Sequence, residues 1–354
     1  MKPLSDGPVS FRRVVPGSTL ATKKQVVPVV SAQLELKDIL GAWKVRWGIG
    51  RNRYRVEPGL YALGAPTAES SVMVTANYKL SFDALRKELT GINAWILVLD
   101  TKGVNVWCAA GKGTFGTEEL IRRLGSTELK KFVTHRTLIL PQLGAVGVAA
   151  HEVAKASGFR VVYGPVRASD IPAFLTAGMK KDPSMRSVRF GLYDRMAIAP
   201  LELSQAWPFV AATLALSLLF PLLERNLNAV SFGRHLLVFA SPLIIGTLVF
   251  PALLPYLPFR AFTSKGAVLG FLWTVVLSLV LGMGLLDAAV FFLIAGSIIA
   301  FIAMNYTGSS TYTGLAGAKL EVKYGLPVLI AAALVGIALA AFRFVPLLIG
   351  GHFS

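Results

Sequence analysis

The feature that most constrains this chain is an apolar run from Ala267 to Met304, which contains a single charged residue, Asp287. One helix of about 38 residues would be about 57 Å long, whereas the hydrocarbon core of a membrane is about 30 Å thick. The run therefore predicts two helices that turn near Gly284. Hydrophobic residues make up 54% of the chain and charged residues 16%, and the mean hydropathy is +0.60. Because the apolar excess lies after Ala206, we expect the second half of the chain to be membrane-embedded.

Five membrane spans are predicted, and they form an all-α transmembrane domain over residues 206–354: about 206–223, 236–257, 267–286, 288–304 and 326–350. Basic residues gather in the loops on one side of these spans, and the opposite loops keep Arg225 and Arg234. Lysine and arginine concentrate in cytoplasmic loops. The pattern predicts a multi-pass protein of the cytoplasmic membrane, with its N-terminal domain in the cytoplasm.

The formal net charge of +17 comes mostly from the first half of the chain. Such a balance is typical of nucleic-acid binding or of a domain close to anionic membrane lipid. The basic residues are scattered, and no nucleic-acid-binding motif accompanies them. We therefore expect membrane lipid, and no nucleic acid, to be the partner of this charge.

The first half of the chain alternates apolar strand-like stretches with segments that begin at helix-capping residues. Four stretches predict buried strands: Ser71–Thr75, Ala94–Leu99, Thr137–Leu140 and Phe159–Tyr163. Residues Trp43–Trp47 and Tyr54–Val56 also alternate in the manner of short strands. We expect an α/β fold with a mostly parallel, Rossmann-like sheet covered on both faces. The predicted domain covers residues 39–178, after an irregular leader at 1–38 and before a basic linker at 179–205.

Cys108 is the only cysteine of the chain, so an internal disulfide is excluded. It follows Asn105, a favoured helix N-cap residue, and would lie in the first turn of a short helix. Backbone N–H groups and the helix dipole favour a thiolate there, and Lys112 adds a positive charge four residues later. A lone cysteine among valine, tryptophan and alanine is also typical of a small buried hydrophobic residue. The local sequence leaves both interpretations open.

Three glycines near Cys108 provide an alternative, since Gly111, Gly113 and Gly116 satisfy the G-x-G-x-x-G pattern after an apolar strand. A dinucleotide site also needs an acidic residue about 20 positions further on. The segment 134–141 contains no carboxylate. A phosphate-binding P-loop is disfavoured because Gly113 follows Lys112 where serine or threonine is required. A nucleotide-binding membrane protein is the weaker alternative.

The segment from Gly91 to Leu120, GINAWILVLDTKGVNVWCAAGKGTFGTEEL, resembles the mercury methylation corrinoid proteins. These are membrane-bound relatives of the corrinoid iron–sulfur protein, and the resemblance extends to the hydrophobic half of the chain. It implies a cobalamin-type corrinoid cofactor that lies on a cap helix. It also implies that Cys108 is the catalytic residue and the lower axial ligand of the cobalt.

Two groups of residues are predicted to bind this cofactor. The cap stretch follows from the resemblance, and the other residues follow strands, at whose carboxyl ends ligands bind in parallel sheets. Taken singly, each of the latter is also typical of an ordinary turn. The predicted residues are Asn105, Val106, Trp107, Cys108, Ala109, Ala110, Gly111, Lys112, Gly113 and Thr114 of the cap, with Thr75, Asn77, Gln142, Gly164 and Pro165.

The resemblance implies a corrinoid-dependent methyltransferase that moves a methyl group from cobalt to inorganic Hg(II), giving methylmercury. It further implies a methyl donor of the folate/corrinoid one-carbon pathway and a ferredoxin-like partner with two 4Fe–4S clusters. A chain with one cysteine cannot ligate such a cluster itself. Two alternatives stay open, a general corrinoid methyl carrier with another acceptor and a transporter. The predicted spans contain few ionisable residues, which disfavours the transporter.

Overall fold

The computed structural model describes residues 13–15 and 27–348 of the chain. The chain divides at residue 188 into two compact units. An α/β unit ends at Val188, and a helical unit begins at Arg189 and also includes Arg46–Gly48. The sheet belongs to the first unit, and the helices long enough to be membrane spans belong to the second.

The α/β unit contains a seven-stranded sheet in the order β1-β2-β3-β5-β4-β6-β7. Four of the neighbouring pairs are parallel (β2–β3, β4–β5, β4–β6 and β6–β7), and two are antiparallel (β1–β2 and β3–β5). The prediction of a mostly parallel sheet is therefore confirmed. The strands are β1 Arg13–Val15, β2 Val27–Val30, β3 Gly59–Leu63, β4 Val72–Ala76, β5 Ala94–Leu99, β6 Thr137–Leu140 and β7 Arg160–Tyr163.

Helices cover both faces of this sheet: α1 Leu36–Arg46, α2 Lys79–Glu88, α3 Val106–Gly111, α4 Thr117–Ser126, α5 Ala150–Ser157 and α6 Ile171–Thr176. The central strands β4 and β5 are buried along their whole length, because their side chains point alternately into two hydrophobic clusters. Leu97 and Phe115 belong to one cluster, and Ile96 and Phe82 belong to the other. Continuous apolar strands are expected when both faces of a sheet are covered.

Two local predictions are wrong, those for the irregular leader and for a strand at Trp43–Trp47. Part of the predicted irregular leader forms β1, β2 and the start of α1. Residues 31–35 are irregular as predicted, and the remainder of the leader lies outside the described residues. Trp43–Trp47 is not a strand, since α1 runs through Arg46. The predicted linker contains two helices, α7 Leu192–Met196 and α8 Ala199–Gln205. The sequence contained little indication of β2, because this short strand pairs with the distant strand β3. Such short stretches do not specify their partner strand locally.

A buried network of four charges ties the start of α1 to α2. Lys79 Nζ lies 2.7 Å from Asp38 Oδ1 and 2.5 Å from Asp83 Oδ2. The Arg86 guanidinium pairs with the same two carboxylates, 2.8 Å from Asp38 and 2.7 Å from Asp83. Arg86 also donates to the carbonyl oxygen of Ser31 at 2.6 Å. Because each charge has an opposite partner, the network meets the condition under which ions tolerate burial.

We expect the stability of the α/β unit to fall below about pH 4. Burial alone would raise the pKa of Asp38, but hydrogen bonds from Lys79, the Glu35 amide and Arg86 outweigh burial and lower it. The unfolded pKa is about 3.9. A depressed folded pKa contributes stability that is present above this value and is lost as the pH falls through the folded pKa. The thermal midpoint, measured from pH 7 to pH 3, should be steady above about pH 5 and then fall. A midpoint that rises on acidification contradicts this assignment.

The helical unit continues with α9 Trp207–Leu223, α10 Ala229–Ile244, α11 Phe250–Leu253, α12 Phe262–Leu281, α13 Leu285–Phe291, α14 Ser297–Asn305, α15 Leu315–Leu320 and α16 Leu326–Leu348. Single π-helical turns join three of the pairs, at Ile245–Val249, Phe292–Gly296 and Glu321–Gly325. The long apolar run breaks where the sequence predicted a turn. Gly282, at a φ of +65°, ends α12 in the left-handed conformation that favours glycine.

Within the described residues, four stretches are long and apolar enough to cross a membrane: Ala229–Leu253, Phe262–Leu281, Leu285–Ser309 and Ala316–Phe342. A fifth is obtained if Leu192–Gln205 and Trp207–Leu223, which are bent by 63°, count as one span. Length and composition thus give four or five spans, whereas the sequence predicted five. Membrane crossing itself stays a prediction.

Candidate functional site

The turn after β5 is organised by Asn77, which is 2% exposed. Its side-chain oxygen accepts hydrogen bonds from Thr101 N, Thr101 Oγ1 and Gly103 N, at 3.1, 2.9 and 2.9 Å. Gly103 adopts a φ of +75°, which favours glycine. The sequence predicted that Asn77 binds the cofactor, but its carboxamide is engaged in fixing the loop that leads into α3.

Helix α3 is capped as the sequence predicted, since the Asn105 side chain accepts a hydrogen bond from Cys108 N at 2.9 Å. Ala109 and Ala110 on this helix are buried, at 0% and 4% exposure. Cys108 is exposed, and Trp107 is 44% exposed. The helix therefore packs through its alanines and presents its thiol outward. The interpretation of Cys108 as a small buried hydrophobic residue is wrong.

Two glycines after β6 allow the cap helix to pack so closely. A Cβ on Gly147 would lie 2.2 Å from Phe115 O and 3.1 Å from Ala110 Cα. A Cβ on Gly144 would lie 2.6 Å from the Phe115 ring, which is itself fully buried. Backbone atoms cannot yield as the end of a flexible side chain can, so Gly147 fixes how near α3 lies to this loop. Sequence reasoning placed Gly144 at the end of a strand but missed Gly147, for which the only signal was its position in a loop after that strand.

We expect Gly147→Ala to displace the cap helix, because its Cβ has no room beside the Phe115 and Ala110 backbone. Gly111→Ala is the matched control, since Gly111 is helical and a Cβ there meets nothing within 4 Å. Hydrogen exchange of the segment 105–115 should be at least tenfold faster in Gly147→Ala and unchanged or slower in Gly111→Ala. Equal exchange in both variants would show that the close approach does not hold the cap.

A cavity of about 320 Å³ lies beside the cap, at the carboxyl ends of β4, β6 and β7. The structure brings six of the predicted residues together in its lining: Thr75, Asn105, Val106, Trp107, Gly164 and Pro165. Its wall also includes Ser81 and Leu85 of α2 and Leu143, which were not among the predicted cofactor-binding residues.

The predicted residue Gln142 lies outside the lining and accepts a hydrogen bond from Lys181. Burial, together with the charge of Arg186, lowers the pKa of Lys181.

The remaining cap residues extend the open face around Cys108. Gly111, Lys112 and Gly113 are exposed, and Thr114 is half-buried. Lys112 ends the helix, with its backbone N–H donating to Cys108 O at 3.1 Å. Gly113 has a φ of +79°, so glycine is favoured there for its backbone conformation. The exposed surface that follows Cys108 along the chain is thus formed by two glycines and Lys112, so it carries few large side chains.

The glycines do not form a dinucleotide site. In that motif the first glycine stands at the turn from the strand into the helix. Here β5 ends at Leu99, and Gly111 is the last residue of α3. Gly116 does precede α4, but the first turn of that helix carries Glu118 and Glu119. Negative charge at a helix N-terminus opposes the binding of a phosphate there. The nucleotide alternative is therefore disfavoured by geometry as well as by sequence.

Comparison with known proteins finds sequence similarity in the α/β unit. Residues 29–175 match the family of the CO dehydrogenase/acetyl-CoA synthase delta subunit. The gamma subunit of the acetyl-CoA decarbonylase/synthase complex of Methanopyrus kandleri is 34% identical over 127 residues, which is 35% of this chain and 27% of that protein. The same subunit of Archaeoglobus fulgidus is 32% identical over 127 residues, with the same shares of 35% and 27%.

The corrinoid/iron-sulfur protein large subunit of Moorella thermoacetica is 33% identical over 127 residues, which is 35% of this chain and 27% of that protein. The chain thus spans about a quarter of the length of the curated relatives it matches. The family match ends before the helical unit begins. The α/β unit is therefore the part of the chain that matches this family, and one of the relatives is a corrinoid/iron-sulfur protein subunit.

Proposed function

We propose that this chain is a corrinoid-dependent methyltransferase whose cap helix α3 carries the metal ligand. The observation that carries the proposal is the exposed thiol of Cys108 on a capped helix beside a cavity, within a segment similar to a corrinoid protein. A packed core cysteine is inert, whereas an exposed one is available as a ligand. The function is proposed for the chain as a whole, although the similarity covers the α/β unit.

The residues present fit a flat macrocycle. Cys108 is exposed, and the glycines at 111 and 113 leave the neighbouring backbone uncovered. Trp107 contributes an apolar surface at the mouth of the cavity. A cavity of about 320 Å³ is at the small end of the range for small-molecule sites, so it suits an appended group rather than a whole corrinoid. The open face of α3 and the residues at the strand ends, Thr75, Gly164 and Pro165, would hold the cofactor.

A bound corrinoid supplies a cobalt centre that accepts a methyl group from one molecule and passes it to another. The protein's part is to present and orient the ligand. Asn105 holds the first turn of α3, and the buried alanines hold the helix against the sheet. The Cys108 sulfur would be a soft, strongly donating ligand of that metal, and such a ligand would favour transfer of the methyl group to a soft electrophile.

Inorganic Hg(II) is the acceptor that we propose, since it is a soft electrophile. The resemblance of the segment from Gly91 to Leu120 to mercury methylation proteins supports it. The relatives' names, which refer to acetyl-CoA decarbonylase/synthase, support a methyl donor of the folate/corrinoid one-carbon pathway. The single cysteine supports a separate ferredoxin-like partner with two 4Fe–4S clusters. The basic loops support a cytoplasmic-membrane location with the α/β unit in the cytoplasm.

The second candidate is a general corrinoid methyl carrier, which is favoured by the names of two relatives, since these are subunits of an acetyl-CoA decarbonylase/synthase complex. The two candidates differ in acceptor preference. Full-length protein, loaded with methylated corrinoid, should be offered Hg(II) and a simple alkyl thiol in parallel. Our proposal predicts methylmercury at a rate at least tenfold above thiol methylation. Faster methylation of the thiol would favour the general carrier.

A further inference from the structure

The helical unit contains a second cavity, of about 530 Å³. Its lining comes from α8, α9, α10, α14 and α16, and from the π-helical turn after α10. Thr247, Ser297 and Leu329 are buried in its wall, whereas Phe209 and Ile330 are more than half exposed. It is therefore a crevice that opens on the surface of the helical unit. Its volume lies within the range of sites for small organic ligands.

The lining of this crevice is mostly apolar, and its longer polar side chains come from α8 and from the end of α14. The hydroxyls of Thr247 and Ser297 donate to backbone carbonyl oxygens four residues earlier. Glu202 lies in the first turn of α8 and Gln205 is its last residue, and Asn305 is the last residue of α14. Farther along the helices the lining is apolar, for example at Ile298 of α14 and Ala333 of α16. A binding site of this kind suits a molecule with a polar head and an apolar body.

The side-chain carboxyl of Glu202 makes no hydrogen bond or ion pair with any residue in the described part of the chain. Two other charged groups of this unit, those of Glu321 and Lys265, have hydrogen-bond partners. The Glu321 carboxylate accepts hydrogen bonds from the amides of Phe262 and Thr263, and Lys265 Nζ donates to two backbone carbonyls at 2.8 and 2.9 Å. An ionisable residue that faces a cavity among apolar helices indicates a functional site. Glu202 is thus available to a ligand.

Independent evidence comes from the backbone around the crevice. The three π-helical turns of the described chain all adjoin its lining. Thr247 lies within one of them, Ser297 directly follows the second, and Leu326 directly follows the third. Such turns are rare and are frequent at functional sites. Their convergence on one crevice marks it as a site rather than a packing defect.

We propose that this crevice binds a small membrane amphiphile whose head donates hydrogen bonds to Glu202 and whose apolar body lies between α9, α14 and α16. The head would be a hydroxyl or an ammonium group, since the carboxyl oxygens of Glu202 accept hydrogen bonds. Hg(II) is not the ligand, because the lining offers oxygen atoms and no sulfur. Two membrane sources share this chemistry, quinols and aminophospholipids. The inference does not depend on corrinoid binding.

Native mass spectrometry of the full-length protein, released from detergent micelles, tests this site. The probes are menaquinol with a short side chain and dioleoyl phosphatidylethanolamine, added one at a time. We expect one of them to bind at one copy per chain. Glu202→Leu should weaken its retention at least tenfold, as removal of a charge-assisted hydrogen bond does. Ala333→Phe should weaken it similarly by filling the crevice, and Glu202→Gln should have a smaller effect.

The matched control is Glu224→Gln, which removes a carboxylate of the same unit outside the crevice. This variant should retain the probe as the wild type does. Binding of the quinol alone or of the lipid alone supports the site and identifies the source. If Glu202→Leu does not fold, Ala333→Phe and Glu202→Gln decide the question. Retention that is equal in wild type and in folded crevice variants, or no retention of either probe by wild type, overturns the proposal.

Discussion

Replacing Cys108 with alanine is expected to abolish methyl transfer to Hg(II) without unfolding the protein. The chain has no second cysteine, so no other thiol can take over as ligand. Because the side chain is exposed, its loss should change the free energy of unfolding by no more than about 0.5 kcal/mol. The rate of methylmercury formation by the purified full-length variant, with its corrinoid content, is the measurement.

A relocated thiol separates metal ligation from simple mercury capture, since any exposed thiol binds Hg(II). Val146 is 82% exposed and lies outside the cap helix, so the double variant Cys108→Ala/Val146→Cys retains an exposed thiol. We expect this variant to bind Hg(II) and to remain inactive. Activity restored by the relocated thiol would mean that Cys108 acts on mercury and not as the ligand of the cofactor.

Replacing Arg86 with methionine is expected to destabilise the α/β unit by about 3–5 kcal/mol, the usual range for breaking a buried ion pair. Arg86 is fully buried, and its removal leaves Asp38 and Asp83 with Lys79 as their remaining cation in the network. The carbonyl of Ser31 also loses its donor. Hydrogen exchange of β4 and β5 in the full-length protein measures the effect within this unit and should be faster by about a hundredfold or more.

The exposed pair of Arg122 and Glu119 provides the control for this prediction. The Arg122 side chain is 65% exposed, and Glu119 also has Arg123 as a partner. Arg122→Met should therefore change stability by no more than about 1 kcal/mol. If the two arginine variants destabilise the unit equally, burial of the network is not what makes Arg86 important.

Local sequence was sufficient where the controlling contacts are local. The strands β4 to β7 are continuous apolar stretches, and the Asn105 cap satisfies an amide three residues away. It failed where the contacts are distant in the chain. The pairing of β2 with β3 and the ion pairs that fix α1 to α2 join residues about 30 to 50 positions apart.

The predictions for the candidate site also succeeded where the determining contacts are local and failed where they are distant in the chain. Sequence placed the cap and the strand ends correctly at one edge of the sheet, and the structure assembles six of those residues around the cavity. Asn77 was predicted to bind the cofactor because it follows β4, where ligand-binding residues are found. A residue that fixes a loop can occupy the same position, and the side chain of Asn77 holds the loop before α3. Gly147 was missed because its need for glycine arises from its approach to Ala110 in the folded protein.

The visible absorption spectrum of the full-length protein loaded with a corrinoid tests the central claim most directly. Wild-type protein and Cys108→Ala should be compared at equal corrinoid content, with the free corrinoid as reference. The account predicts that the bands of the wild type differ from those of the free corrinoid, and that the difference disappears or changes in the variant, because the sulfur ligand is lost. Identical spectra of the corrinoid bound to wild type and to Cys108→Ala would contradict ligation by Cys108.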